Sequence, residues 1–222
     1  MKTQHEHTRI AHMNRKSQFF PLGDDNPVAR FPFVNWALIA INIVVFVMSL
    51  GDFEQVINMF GFTPANFEPI TLLTSMFLHG SVAHIIGNMW FLLIFGDNVE
   101  DRLGHLQYAL FYLLGGLAAS IAHFLLNIGS TVPAIGASGA ISAVLGAYLV
   151  FYPDAGVYIS GQIGRMGKIS AKLMLLAWFG YQLLSSVSTL FGAESGIAFF
   201  AHIGGFIFGA AGALVYKAIS KR

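Results

Sequence analysis

The chain has 222 residues, of which 55% are apolar, 10% are charged and 24 are glycine, with a formal net charge of +1. A soluble domain is about 25% charged, so 12 basic and 11 acidic side chains cannot cover a globule of this size; a soluble enzyme, a disordered chain and a nucleic-acid binder are excluded, and an all-α polytopic membrane protein is left. No cysteine occurs, which removes disulfides, thiolate nucleophiles and sulfur-ligated metals together.

Residues 1–30 are polar, carry Lys2, Arg9, Arg15, Lys16 and Arg30, and read as a cytoplasmic N-terminal tail ahead of a membrane domain over 31–222. His5, His7 and His12 in this tail fall short of a metal site because no tetrahedral ligand set accompanies them. The apolar run Phe33–Leu50 is longer than the roughly 7–15 residues of a cleavable signal and has no small-residue cleavage site, so it reads as a retained first span. The loop from Gly51 to Ser81 is unusually apolar, and its run Ile70–Leu78 is too short to cross a bilayer. It is expected to lie in the outer interface or dip into it.

Five more apolar segments follow, at Val82–Asn98, His105–Ile128, Ser138–Tyr152, Ala171–Phe191 and Phe199–Ser220. Apolar residues lie all round each one, as for helices that meet lipid or one another. The alternation of a transmembrane barrel is absent, and no internal repeat supports an inverted-repeat transporter. With six spans and the N-terminus inside, the inner segments are 1–32, 99–104, 153–170 and the C-terminal tail. All basic residues fall there or close to an inner helix end, while the outer loops hold Asp52, Glu54, Glu68 and Glu194. This asymmetry predicts that both termini are cytoplasmic.

Polar groups inside spans are costly and are functional candidates by default. Spans two, four and six all start from the outer side, so His84 and Asn88, Ser138, and His202 converge near the outer end of the bundle. His84 and Asn88 share one helix face and can point donors at one spot; taken alone they read first as interhelical glue, worth about 1 kcal/mol or less per bond. Ser138 lies in Gly136-Ala137-Ser138-Gly139, where glycines allow a sharp turn and free amides can receive an oxyanion. Span four is only about 22 Å long, so its serine sits below the outer surface and needs a cavity opening outward. His202 is followed by Gly205 and Gly209, a stripe that lets span six approach the small face Gly139, Ser142, Ala143 and Gly146 of span four closely. That approach would bring His202 within general-base reach of the Ser138 hydroxyl. No carboxylate is available to orient the histidine, so the pair reads as a dyad. His123, between Ser120 and Asn127, reads as structural glue.

These residues resemble the rhomboid intramembrane serine proteases over nearly all of 30–222. The resemblance rests on His84-Ile-Ile-Gly-Asn88, Gly136-Ala-Ser138-Gly139, Ala201-His202-x-x-Gly205-x-x-x-Gly209 and Glu100-Asp-Arg102-Leu-Gly104. It implies a six-transmembrane-helix rhomboid bundle with Ser138 as nucleophile and His202 as general base. It also implies His84, Asn88 and the Ser138 backbone amide as oxyanion donors, and His79 as a structural histidine. A gate between spans two and five is likewise implied. The chain departs from the family pattern in two places: Pro69-Ile70-Thr71 lacks the Trp-Arg of some bacterial members, and Ser142 stands where many members place an aromatic against the base.

The expected function is hydrolysis of peptide bonds in or near the transmembrane segments of single-pass membrane proteins, within the lipid bilayer, with no cofactor, no metal and no nucleic acid. The alternatives are an inactive rhomboid-like factor that binds or escorts membrane proteins, and a channel or transporter using His84, His123 and His202 as a proton path. The expected location is a bacterial inner membrane with the site facing outward.

Overall fold

The computed structural model describes residues 20–160, 166–190 and 197–220. The tail residues Lys2, His5, His7, Arg9, His12, Arg15 and Lys16, together with Arg165, Glu194, Lys221 and Arg222, lie outside the described residues. The elements are β1 (Pro21–Asp24), α1 (Phe33–Ser49), α2 (Phe53–Phe60), α3 (Thr71–Thr74), a 3-10 turn (Ser75–Phe77), α4 (Val82–Leu103), α5 (His105–Leu126), α6 (Ser138–Phe151), β2 (Gly156–Ser160), β3 (Met166–Ser170), α7 (Ala171–Leu190) and α8 (Phe199–Ile219). Among the described residues, α4, α5 and α8 are long and apolar enough to cross a membrane, and α1 and α6 are shorter apolar helices.

Beside an apolar core that includes Leu38, Leu92, Phe95 and Leu145, the helices bury polar side chains and turn large apolar ones outward. On α1 the buried face includes Asn35, Asn42 and Ser49, while Phe33, Val47 and Met48 point outward. Asn35 donates its amide to the Leu92 carbonyl at 3.0 Å and accepts from the Tyr108 hydroxyl at 2.8 Å. On α7, Gln182 and Ser186 are buried and Leu173, Leu184 and Val187 are exposed. Water would penalise so many outward apolar side chains, whereas hydrocarbon rewards them and requires polar groups to find partners inside the protein.

Helix α6 is the axis of the fold. Every residue from Gly139 to Tyr148 is buried, enclosed by α4, α5, α7 and α8. The run Ile70–Leu78 forms α3 and the 3-10 turn, with Thr71, Ser75 and Met76 buried. Met76 fills the space that a side chain at Gly116 of α5 would need.

Two features depart from the sequence reading. Helix α4 continues past Asn98 to Leu103 and buries Glu100, which is 1% exposed, at the start of α1. The Glu100 carboxylate accepts from the backbone N–H groups of Val34 at 2.9 Å and Asn35 at 2.7 Å and pairs with the His105 ring. A carboxylate on orphan first-turn amides satisfies both charge and donors, so this charged stretch continues the helix. Second, residues 20–30 and 153–170 contain a small antiparallel sheet of order β1-β2-β3. Gly23 pairs with Tyr158, and Val157 with Ile169. The sheet is tied to the bundle by Trp90, whose ring N–H donates to the Pro21 carbonyl at 2.7 Å, and by Asp24, which accepts from Tyr148 and Asn98. Lys168 pairs with Asp25 at 2.6 Å on its surface.

Candidate active site

Ser138 stands at the first turn of α6, where the backbone arrives through Gly136. Gly136 has φ +125°, and a Cβ there would lie 2.8 Å from the His84 ring, so both the conformation and the space require glycine. Its N–H donates to the Ser75 carbonyl at 2.9 Å, anchoring the turn to the 3-10 segment.

The opposing wall is α8. A Cβ at Gly205 would run into the Gly139 carbonyl, and one at Gly209 into the Ala143 carbonyl. The α6 and α8 backbones therefore touch, as small-residue stripes permit. This brings His202, one turn before Gly205, to Ser138: Nε2 lies 2.8 Å from Oγ, within general-base range.

Two side chains of α7 complete the surroundings of His202. Gln182 Oε1 is 2.8 Å from His202 Nδ1, and Gln182 is 5% exposed. One turn earlier, the Trp178 ring lies 6.1 Å from the imidazole, tilted by 32°. Sequence reasoning sought a carboxylate partner and missed both. The available signal was an uncharged polar residue in an apolar segment with an aromatic four positions before it. Ser142 gives His202 nothing, because its hydroxyl donates to the Ser138 carbonyl at 2.6 Å.

His84 and Asn88 come from the first turns of α4, whose start is capped by Ser81 accepting from the His84 N–H at 3.1 Å. His84 Nδ1 accepts from the Gly80 N–H at 3.4 Å. The ring proton then sits on Nε2, the atom that faces Gly136 beside Ser138. The Asn88 amide nitrogen is buried with no hydrogen-bond partner among the described residues, and lies 3.7 Å from where a Gly136 Cβ would stand. Two N–H donors thus address one spot beside the serine, where the first amides of α6 are also free of helical bonds.

His79 is fully buried in the loop before α4, its ring edge-on to His84 with centroids 5.0 Å apart. Burial and the neighbouring His84 pull its pKa down to about 4, so it is a neutral wedge behind the His84 ring. His123 holds Asn127, whose amide donates to the His123 carbonyl at 2.9 Å. It lines a cavity of about 370 Å³ that shares His84 and Ala198 with the one at Ser138.

His84, Asn88, Ser138, Trp178, Gln182 and His202 line one cavity of about 590 Å³ between α4 and α7. Those two helices flank it without packing closely on each other. A neutral imidazole aimed at a serine hydroxyl, beside converging N–H donors, is equipped for nucleophilic attack and oxyanion binding.

Residues 66–218 match the family model described as Rhomboid domain. The chain is similar to RHOMBOID-like protein 6, mitochondrial, of Arabidopsis thaliana, at 30% identity over 143 residues, 64% of this chain and 42% of that protein. It is similar to RHOMBOID-like protein 4 of the same plant, at 33% over 138 residues, 62% of this chain and 32% of that protein. It is also similar to Presenilin-associated rhomboid-like protein, mitochondrial, of Bos taurus, at 28% over 185 residues, 78% of this chain and 45% of that protein. The aligned part spans less than half the length of each relative. These relatives are plant and animal proteins, two with mitochondrial in their names, so the expectation of a bacterial inner membrane gains no support from them. Membership of a membrane protein family agrees with the apolar helices and their outward-facing side chains.

Proposed function

The chain belongs to the rhomboid family, and we propose that it is an intramembrane serine endopeptidase that cuts transmembrane or juxtamembrane segments of single-pass membrane proteins. The observation that carries this reading is the 2.8 Å approach of His202 Nε2 to Ser138 Oγ beside an Asn88 amide that has no partner among the described residues. Ser138 Oγ attacks the scissile carbonyl while its proton passes to His202 Nε2. The oxyanion takes hydrogen bonds from His84 Nε2–H, the Asn88 amide and the Ser138 backbone N–H, each such donor supplying about 2.7–4 kcal/mol in soluble proteases. His202 then protonates the leaving amine, and water, activated by the same ring, hydrolyses the acyl-enzyme.

The proposed arrangement has six spans with both termini on the cytoplasmic side. The sheet, Arg102, Lys172 and Lys217 gather at that end, in line with the positive-inside asymmetry. With 14 residues, α6 is about 21 Å long, against about 30 Å of hydrocarbon, which sets Ser138 beneath the outer interface. The gap between Phe91 on α4 and Trp178 on α7 is the proposed lateral path for substrate. A helical segment must unwind to expose its carbonyl, which favours helix-weakening residues at the cut.

The test is cleavage of a single-span reporter by the purified chain in proteoliposomes. The parent cleaves, and Ser138→Ala and His202→Ala do not. Equal cleavage by parent and Ser138→Ala refutes the reading; reporter binding without cleavage by any form supports the escort alternative instead.

A further inference from the structure

We infer that Gln182 is the positioning residue of the catalytic base: its amide oxygen fixes the His202 tautomer from α7, in the place where a triad enzyme uses a carboxylate. This rests on the Ser138–His202 reading above and deepens it. A neutral imidazole carries one proton. With Gln182 Oε1 2.8 Å from Nδ1, that proton belongs on Nδ1, because an amide oxygen offers only lone pairs. Nε2 then presents its own lone pair to the Ser138 hydroxyl at 2.8 Å, the orientation that deprotonation of the serine requires. With the other tautomer, Nε2 would donate to Oγ and the serine would keep its proton.

The arrangement around the ring leaves this task to Gln182. Among the described residues, the titratable groups that act on His202 are the imidazoles of His84 on α4 and His123 on α5, and neither bonds to Nδ1. Ser138 on α6 occupies Nε2, and Trp178 on α7 covers the ring without bonding to it. Gln182 is buried and sits one turn beyond Trp178, so one face of α7 both covers and orients the base. The orienting group is neutral, so it sets geometry without adding a charge to stabilise the imidazolium.

The experiment compares the parent, Gln182→Met, Gln182→Glu and Ser138→Ala as full chains in proteoliposomes. It measures kcat and KM on the reporter, the pH dependence of the rate of fluorophosphonate labelling at Ser138, and thermal unfolding. Gln182→Met keeps the length and loses the acceptor: kcat falls tens- to hundreds-fold, short of the ~10⁴-fold of a wrong tautomer in a full triad, with KM within about twofold. Gln182→Glu keeps the acceptor and adds charge: labelling is retained, and its acid limb moves up by about one to three pH units, as a carboxylate beside an imidazole dictates. A side chain at position 182 that did not reach Nδ1 would leave that limb where it is, and the kcat of Gln182→Met tells orientation from mere packing. Parent-like kcat in Gln182→Met, or an unmoved limb in Gln182→Glu, overturns the inference while an inactive Ser138→Ala leaves the protease reading standing. If Gln182→Met does not fold, Gln182→Ala, which also removes the acceptor, takes its place in the kcat comparison. A folded parent that neither labels nor cleaves overturns both.

Discussion

Replacing Asn88 by alanine removes an amide donor that is buried and has no partner among the described residues. In the proposed reaction that donor engages only when the oxyanion forms, so its loss falls on the transition state. Removing one such donor costs about 2.7–4 kcal/mol, or roughly 10²–10³ in kcat, and KM is unchanged because the ground-state carbonyl does not depend on it. The stability effect separates this role from that of interhelical glue. An unsatisfied buried donor costs about 1–3 kcal/mol, so deleting it offsets the packing lost with the side chain, and net stability moves by about 1 kcal/mol or less. For a chain of this size that is a Tm shift of at most about 4 °C. Reporter kinetics and thermal unfolding in the same detergent read both quantities on one preparation. An Asn88→Ala variant that keeps the parent kcat and unfolds many degrees lower would refute the assignment, because it would show Asn88 holding helices together.

Gly209→Val drives a side chain into the Ala143 carbonyl; overpacking of this kind costs about 1–3 kcal/mol, and fluorophosphonate labelling of Ser138 falls with Tm as α8 is pushed off α6. Glu100→Ala strands the Val34 and Asn35 N–H groups, each having lost a charge-assisted bond of about 1.5–3 kcal/mol, so Tm falls while kcat per folded molecule is kept. Lys168 holds the Asp25 carboxyl below its ordinary value of 3.8, so the stability that Asp25 supplies is complete above that value and lost as pH falls through the lowered one; Asp25→Asn removes this part of the acid-side loss in Tm scans from about pH 3 to about pH 7. Burial raises the neighbouring Asp24, so its sign is opposite: the neutral form suits the fold, and stability is lost as pH rises through the raised value. Asp24→Asn abolishes that loss in the same scans.

The long helices were legible because each is apolar on all sides and bounded by glycine, proline or polar breaks. The segment expected at Ser138–Tyr152 is the helix Ser138–Phe151, and that expected at Phe199–Ser220 is Phe199–Ile219. The meeting of Ser138 with His202 was legible for a related reason: glycines at His202+3 and +7 face a row of small residues, and two bare backbones can close to contact. Glu100 was misread because its charge counts as a loop signal unless the amides of Val34 and Asn35, some 65 residues away, are known to lie opposite it. The sheet was invisible because its strands have four or five residues and PLGD carries no alternation. Only pairing across more than a hundred residues makes it a strand. Gln182 was missed because an amide in an apolar segment has no motif; its role follows from what stands opposite.

Four side chains of the cavity divide into two mechanical classes. Ser138 and His202 are carried by α6 and α8, whose backbones are in contact at Gly205 and Gly209, so their separation is set by the least compressible part of the fold. Trp178 and Gln182 are carried by α7, which exposes Leu173, Leu176, Tyr181, Leu184 and Val187 and meets α8 through side chains such as the Phe179–Phe206 stack at 4.5 Å. Displacing α7 to admit a substrate segment therefore leaves the Ser138–His202 distance intact and takes away the amide that orients the ring. In the proposed reaction, cleavage then requires α7 to return after the substrate has passed, so an occupied site with α7 displaced would be bound but unreactive. Substrate selection on the proposed reading accordingly includes whether the unwound segment lets α7 close over it, a criterion that depends on side-chain bulk beside the cut and is independent of the dyad's chemistry.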